Sequence, residues 1–228
     1  IQALRRDSAA EALATLEAAK ALLGANHLPG EEIAYRAALA LARLREGDEM
    51  AALLEAESAR HLIEESNPTT FAAFEGYAGV AEVYLALWEG KVAAAVPAST
   101  LPTLQATARQ ACTALREFAR VFPVAEPRSW LWQGSYEWLA GSPQMAWRAW
   151  RKSLAIAQRL GMRYEEALAR YEIGRHLPTS DPERAQQLEL ACETFLGQNA
   201  TFEFARTQRA AQGEPGPRLA SRLLPPSG

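Results

Sequence analysis

Residues 127–162 read PRSWLWQGSYEWLAGSPQMAWRAWRKSLAIAQRLGM, and this stretch decides the fold. It holds five of the chain's six tryptophans and reads as two amphipathic helices joined by a tight turn at 141–143. Residues of contrasting size follow one another at offsets of 4, 7, 5 and 4, namely Trp130, Gly134, Gly141, Ala146 and Trp150. This order of large, small, turn, small and large suits a helical hairpin that stacks on a copy of itself. The stretch therefore predicts a stacking unit, and stacking units are typical of scaffolds.

The composition predicts an all-α protein. Alanine and leucine dominate the 228 residues, of which 49% are hydrophobic, and good helix formers outnumber β-branched residues. Acidic and basic residues are interspersed and the net charge is −3, a balance that favours neither nucleic acid nor a membrane as partner. The sequence contains no apolar run near the ~18 residues of a transmembrane helix and no recognisable secretory signal. We therefore predict a cytoplasmic location.

Proline, glycine and asparagine divide the chain into helices. Clear breaks fall at Pro29-Gly30, Gly47-Asp48, Asn67-Pro68 and Gly161. The ten predicted helices are residues 3–24, 30–46, 49–66, 68–89, 100–122, 127–140, 143–160, 163–177, 181–197 and 200–212.

The second helices of the predicted pairs repeat a spacing of small residues. Ala12 and Ala52 are 40 residues apart, and Ala146 and Ala185 are 39 apart, which fits one hairpin with its turns. Self-similarity at this period indicates a helical solenoid. The first helix has no partner before it, so we expect a repeat domain over 1–212 whose first repeat is truncated. We also expect an insertion at 90–102 and a disordered C-terminal tail at 213–228.

These residues resemble the tetratricopeptide repeat. Within 127–160, an aromatic, a small residue, an alanine, an aromatic and a small residue stand where that family has them, namely at Trp130, Gly134, Ala146, Trp150 and Ser153. The chain departs from the pattern at Glu137, where the family usually has tyrosine. A looser match covers 33–64, with Arg36 at the usual aromatic position. The resemblance implies a right-handed α-solenoid of about four to five hairpins, with helix 200–212 as a C-terminal cap.

Longer segments are similar to the C-terminal repeat regions of large bacterial signalling proteins. They are AQRLGMRYEEA at 157–167, EIGRHL at 172–177 and ARVFP at 119–123. In such proteins a class III nucleotide cyclase, a kinase or a LuxR-type DNA-binding domain accompanies an AAA/STAND-type ATPase and a repeat array. The resemblance implies a regulatory or partner-binding region, with the catalytic parts upstream. The expected partner is a protein or peptide, including the upstream domains themselves.

Motifs for chemistry are missing from the sequence. It has no G-x-x-x-x-G-K-[ST] or G-x-G-x-x-G phosphate loop and no G-x-S-x-G nucleophile elbow. His27, His61 and His176 fall in different repeats, without a second histidine at ligand spacing, and we assign them solvated or capping roles. We therefore expect no metal site, no cofactor and no enzymatic activity.

The cysteines and carboxylates have ordinary structural interpretations. Cys112 and Cys192 lie in alanine-rich helical stretches, which favours reduced, buried thiols. Paired carboxylates such as Glu165 and Glu166 fall near helix ends or on polar faces, so we read them as solvated. General acid or base catalysis would need a pocket that shifts their pKa values, and the sequence does not indicate one.

A basic run through 148–163 has three interpretations. It consists of Arg148, Arg151, Lys152, Arg159 and Arg163, with tryptophans interleaved. Basic residues with aromatics are typical of sites for nucleic acid or an anionic peptide. A solvated helix face is the favoured interpretation, because Trp147 and Trp150 fit the packing stripe. An anionic partner ranks second and nucleic acid last.

The resemblance to the tetratricopeptide repeat also implies a binding groove. In that family the first helices of the pairs line a concave face, which here carries Arg128, Leu131, Ser135 and Trp138. A tryptophan exposed in such a groove is a suitable anchor for a peptide. Packing within the core or between repeats is the alternative for Trp138, and it is the favoured one.

Two further functions stay open at the level of sequence. A sensor would hold a small ligand in a closed, mostly apolar pocket and bias the upstream domain. A homo-oligomer would bury the apolar face of the unpaired first helix against a second copy. We predict a protein-interaction module first and these two as alternatives.

Overall fold

The computed structural model describes residues 2–6, 8–22, 28–97 and 101–213. This part of the chain is built of helices that pack against one another and contains no strand. The helices are α1 (Gln2–Arg5), α2 (Ala9–Leu22), α3 (Pro29–Glu46), α4 (Glu49–Glu65), α5 (Phe74–Ala93), α6 (Pro102–Val121), α7 (Glu126–Leu139), α8 (Pro143–Arg159), α9 (Arg163–His176), α10 (Pro182–Gly197) and α11 (Thr201–Ala211). Short 3-10 turns at Phe71–Ala73 and Pro123–Ala125 precede α5 and α7. The all-α prediction is confirmed.

The first predicted helix is two helices in the structure. The break falls where the Ser8 hydroxyl accepts a hydrogen bond from the backbone N–H of Glu11 at 3.3 Å, so that Ser8 caps the start of α2. Residues 23–27 lie outside the described residues, as do 214–228, which make up nearly all of the predicted disordered tail. The helix predicted over 68–89 begins instead at Phe74 and runs to Ala93, into the predicted insertion.

Consecutive helices form antiparallel hairpins, and the odd-numbered helices also contact one another in order. Such contacts join α3 to α5, α5 to α7, α7 to α9, and α9 to α11. The even-numbered helices pack onto the odd ones from the other side, and the short α1 contacts α11. The odd-numbered helices therefore form an inner layer, and elements from the two ends of the described chain meet.

Glycine allows the close approach within the tryptophan-rich hairpin. Trp150 is fully buried against Gly134, where an added Cβ would lie 2.9 Å from Cε2 of Trp150 and closer still to its Cδ1. The turn at Gly141 has φ +79°, a left-handed conformation that favours glycine. Ser153 is buried as well, and its hydroxyl donates to the carbonyl oxygen of Pro127 at 2.7 Å. The predicted hairpin and its turn are confirmed.

The same contact recurs in the next hairpin. An added Cβ at Gly174 of α9 would lie 2.7 Å from Cγ of Leu188 on α10. On the other side, Gly76 of α5 lets that helix approach α3, since a Cβ there would lie 2.8 Å from Cγ2 of Ile33. Small residues thus set the spacing between neighbouring helices.

Within the described residues, every helix is too short or too polar to cross a lipid bilayer.

Candidate functional sites in the interior and on the outer face

The four predicted groove residues lie in the interior. Arg128, Leu131 and Ser135 expose 4%, 1% and 7% of their surface, and Trp138 is half-buried. They face the inner layer as the resemblance implied, but the inner layer is filled by other side chains. They line two small cavities, and α9 and α11 contribute other side chains around these cavities.

Arg128 forms a buried ion pair with Glu165 that joins α7 to α9. Its Nε donates to one carboxylate oxygen at 2.6 Å and its Nη2 donates to the other at 2.7 Å. Burial opposes the charge on Arg128, but the attraction and hydrogen bonds of Glu165 outweigh it and raise the pKa of Arg128 above its ordinary value. The prediction that Glu165 is solvated is wrong: only 4% of it is exposed.

A second ionic cluster links α5 to α9. Arg175 donates from Nη1 to Glu89 at 2.6 Å and from Nε to Glu172 at 2.8 Å. Burial raises the pKa of Glu172, whereas the charge and hydrogen bonds of Arg175 overcome burial and lower the pKa of Glu89. Arg175 therefore stabilises the ionised form of Glu89 more strongly than that of Glu172.

Polar contacts also close the interior where the ends of the chain meet. Arg45 at the end of α3 donates to the carbonyl oxygen of Leu4, lies 3.5 Å from Glu203 of α11, and stacks on Phe202 with Cζ 3.7 Å from the ring centroid. The Tyr164 hydroxyl donates to Glu203 at 3.0 Å. Charge-assisted hydrogen bonds therefore join the two ends of the described chain alongside the buried side chains of Leu4 and Phe202.

Arg5 of α1 adds to the closure. Its guanidinium lies 3.8 Å from the centroid of the Tyr164 ring and donates to Glu75 of α5 at 3.3 Å. One short helix thereby contacts side chains from α5 and α9 at once. The face that α11 and α1 cover is the face that the sequence assigned to a peptide.

Two small cavities of about 30 Å³ each lie between the inner helices in the described part of the chain. Glu82, Trp132, Glu172 and Arg206 line both of them, and burial raises the pKa of Glu82. Each cavity has room for about two water molecules, far less than the ~300 Å³ of a small-ligand site. These two cavities are therefore smaller than the apolar pocket that the sensor hypothesis requires.

His176 and three tryptophans form an aromatic cluster beside the interior. The Trp138 ring centroid lies 6.2 Å from that of Trp147, 5.8 Å from Trp150 and 4.3 Å from His176. Burial lowers the pKa of His176 to about 3, and its Nδ1 lies 2.8 Å from the carbonyl oxygen of Glu172. Trp138 is thus packed, in agreement with the favoured interpretation, and His176 has the predicted capping role without being solvated. His27 lies outside the described residues.

An apolar surface lies on the outer side, in a groove between α4 and α6 with α5 as its floor. One end has a volume of about 610 Å³ and is lined by apolar side chains from all three helices, namely Met50, Leu53, Leu54, Leu87 and Leu104. Three of these, Met50, Leu53 and Leu54, are exposed to solvent, Leu54 to 63%. Glu49, which accepts from Lys91 at 2.6 Å, lies at the rim. We call this end the α4–α6 groove.

A second depression of about 470 Å³ continues between the same helices towards the end of α4. Ile63 of α4, Tyr77 of α5 and Phe118 of α6 contribute to its walls. In the α4–α6 groove, at its end nearest this second depression, Glu57 accepts hydrogen bonds from Arg60 and, at 2.6 Å, from the Tyr84 hydroxyl. The hydrogen bond from Arg60, reinforced by that from Tyr84, lowers the pKa of Glu57 to about 2. The two depressions together form one outer channel. This channel is apolar along the α4–α6 groove and polar in its middle, at Glu57.

The basic run on α8 and at the start of α9 is exposed, and three of its members have partners. Arg151 donates to Glu183 at 2.9 Å, and Arg159 lies 3.7 Å from Glu126. Lys152 stacks on Trp130, with Nζ 3.9 Å from the ring centroid. The exposure of these side chains agrees with the favoured interpretation of a solvated helix face.

The remaining candidate residues behave as ordinary structural groups. Both cysteines are free, and burial raises the pKa of Cys112 to about 12. Cys192 is half-buried, so the prediction of a buried thiol holds for Cys112 alone. Across the described ranges no three His, Cys, Asp or Glu side chains converge as a metal site would require.

No family model, curated protein or solved structure matches the chain. The tetratricopeptide assignment and the signalling context therefore stay predictions.

Sequence reasoning missed the ionic interior and the α4–α6 groove. A signal for the interior was present, since Glu75, Glu82 and Glu89 are seven apart on α5, as are Glu165 and Glu172 on α9. Residues seven apart share a helix face, so these carboxylates mark one face of each inner helix.

Proposed function

We propose that this chain is a non-enzymatic interaction module of a larger bacterial signalling protein, and that it binds an apolar helical segment in the α4–α6 groove. The observation that carries the proposal is the groove itself, with about 610 Å³ of space and exposed leucines on α4. Clustered apolar side chains that stay exposed on a helical protein mark interaction sites. The segment belongs to another protein or to an upstream domain of the same polypeptide.

The direction of the walls favours a helix as the bound element. Residues from the starts of α4 and α6 line one depression, and later residues of both line the other, so the two walls run in the same direction. A channel between two such helices accepts the apolar face of a third, as in helix-in-groove recognition. Its anchors would then follow a spacing of three or four residues.

The repeat pattern supports the wider assignment. Glycine contacts at Gly134 and Gly174 recur in successive hairpins, and odd helices contact one another in order. We infer a right-handed α-solenoid of four to five tetratricopeptide-like hairpins, in which the inner face is closed by the chain's own α1 and α11. Recognition then falls to the outer face, and the cyclase, kinase or LuxR-type parent remains what the sequence resemblance suggests.

A homo-oligomer through the first helices has less support. Over residues 9–20 of α2, where side-chain exposure is described, the exposed residues are alanine, threonine and charged residues, such as Ala14, Thr15 and Glu17. Such a face lacks the large apolar anchors that dominate stable interfaces. We therefore favour a helical segment of another protein or domain over a second copy of this chain as the binding partner.

Site-specific photo-crosslinking tests the proposal. A benzophenone amino acid replaces Leu54 in the groove in one variant, and Leu196 on α10 in the control, because Leu196 is equally exposed at 60%. Both are expressed in the native host within the full-length polypeptide and irradiated. We expect an adduct to one defined protein segment from position 54 and none from position 196.

Leu54→Glu tests the same adduct from the other direction. A probe at Met50, also in the groove, should lose its adduct when Leu54→Glu is added, because a carboxylate would have to be desolvated against the bound apolar face. Equal crosslinking from the groove and from position 196, or an adduct indifferent to Leu54→Glu, would exclude the groove as the binding site.

A further inference from the structure

Helix α1 lies on the inner face and contacts it as a bound peptide would. We propose that α1 is a removable strap, and that its release opens a site for a partner peptide in which an apolar residue precedes an arginine. The two residues of the peptide take the positions of Leu4 and Arg5. This site is separate from the α4–α6 groove, so the inference goes beyond the proposed function and does not rest on it.

Two adjacent residues of α1 make its contacts with the inner helices. Leu4 is 2% exposed and lines one of the two small cavities, and its carbonyl oxygen accepts a hydrogen bond from Arg45 of α3. The Arg5 guanidinium stacks on the ring of Tyr164 and donates to Glu75. A buried apolar anchor, a main-chain hydrogen bond and a guanidinium held by a ring and a carboxylate are contacts typical of peptide recognition.

The stability of α1 depends on these anchors, because α1 is a single helical turn. Its four residues are far fewer than the roughly 12 at which an isolated helix becomes even marginally stable in water. The pair of Arg5 with Glu75 is partly solvated, with 24% and 32% of the two side chains exposed, and such pairs contribute little to stability. Detachment of α1 therefore costs less free energy than detachment of a long inner helix.

The surface beneath α1 stays assembled when α1 leaves. Arg45 still contacts Glu203 of α11, and the Tyr164 hydroxyl still donates to Glu203 at 3.0 Å. Arg128 stays paired with Glu165. These contacts join α3, α7, α9 and α11 to one another, and α1 takes part in none of them. Release of α1 thus exposes a preformed site.

The exposed site attracts a cation. Arg5 is the ion-pair partner of Glu75 among the described residues, so release of α1 leaves this carboxylate unpaired. The guanidinium of a bound peptide restores the pair and covers the same ring of Tyr164. The Arg128 guanidinium also faces this ring, 5.7 Å from its centroid, but Glu165 neutralises it. An arginine therefore fits this position better than an acidic or a neutral side chain.

Binding of a synthetic peptide to the full chain tests the inference. The probe is a fluorescein-labelled peptide with the sequence of residues 2–6, QALRR, and its binding is followed by fluorescence anisotropy. The proteins compared are wild type, Arg5→Ala, which loosens the strap, and Arg6→Ala. Arg6 is the matched control because it is the next residue and is exposed. Circular dichroism checks that each variant is folded.

We expect Arg5→Ala to bind the peptide at least tenfold more tightly than wild type, because a docked α1 competes for the site. Arg6→Ala should bind it as wild type does. Adding Glu75→Gln to Arg5→Ala should weaken binding at least tenfold, as should alanine in place of the first arginine of the peptide. Equal binding by Arg5→Ala and Arg6→Ala, or binding indifferent to Glu75→Gln, would overturn the proposal.

Hydrogen exchange of the unsubstituted protein tests the release of α1 without any variant. The Arg6 amide donates to the Gln2 carbonyl oxygen at the end of α1, and the Leu177 amide donates to that of Ile173 at the end of α9, both at 3.2 Å. By NMR, the Arg6 amide should exchange at least a hundredfold faster than the Leu177 amide, because α1 opens by itself. Equal protection of the two amides would show that α1 opens only with the core and would overturn the strap.

Discussion

The interior and the α4–α6 groove differ in what fills them. In the interior, arginine and glutamate side chains from α7 and α9 pair with each other out of solvent, as Arg128 does with Glu165. In the groove, leucines of α4 face solvent. Buried pairs hold the inner helices in one arrangement, whereas exposed apolar groups gain free energy only when something covers them. We propose from this contrast that the inner face holds the fold together and that the outer face binds the partner.

Breaking the buried ion pair should have the largest effect. Arg128→Met leaves Glu165 buried without its partner, so we expect the free energy of unfolding to fall by about 3–5 kcal/mol in urea titrations. The double variant Arg128→Met with Glu165→Met should recover most of the loss, because it removes both charges. A loss below about 0.5 kcal/mol for Arg128→Met would mean that the pair is solvated and the interior open.

A methyl group at the helix contact should have an intermediate effect. In Gly134→Ala the new Cβ would clash with the buried Trp150 ring, and overpacking of this kind costs about 1–3 kcal/mol. Gly90→Ala on α5 is the matched control, since nothing lies within 4 Å of its added Cβ, and it should stabilise the helix by about 0.5–1 kcal/mol. Thermal unfolding of both variants measures the difference. Equal and small shifts would show that α7 and α8 do not pack closely at this contact.

The smallest effect concerns pH and the polar middle of the outer channel. Since the pKa of Glu57 is about 2 in the folded chain against 4.5 ordinarily, its contribution to stability is complete above pH 4.5 and is lost as pH falls towards 2. The free-energy difference between wild type and Glu57→Gln should therefore shrink between about pH 6 and pH 3 in urea titrations. A difference that stays constant over this range would mean that Arg60 and Tyr84 do not hold the carboxylate.

Local signals in the sequence predicted the hairpins. Which helix faces meet in the fold depends on contacts between residues far apart in the sequence. Gly134, Gly141 and Trp150 identify the α7–α8 hairpin because a turn and a close contact each restrict the residue type. Helix periodicity says which residues share a face, but not which face meets another helix. For this reason the sequence predicts a solvated Glu165, although this residue pairs with Arg128.

The same limit applies to the candidate sites. The closure depends on Arg45 and Glu203, which are 158 residues apart, and local patterning does not indicate such a contact. The groove depends on three helices that leave space between them, although each helix alone looks ordinary. The four predicted groove residues lie in the inner layer, beside side chains of α9 and α11.

One pair of substitutions tests most directly whether the inner face is closed. Leu131→Glu and Leu54→Glu make the same chemical change, at a residue 1% exposed in the interior and at one 63% exposed in the groove. Urea unfolding should show a loss of more than about 4 kcal/mol, or no folded protein, for Leu131→Glu. Leu54→Glu should stay within about 0.5 kcal/mol of wild type. If Leu131→Glu is tolerated as well as Leu54→Glu, the inner face is an open groove and its role is not structural.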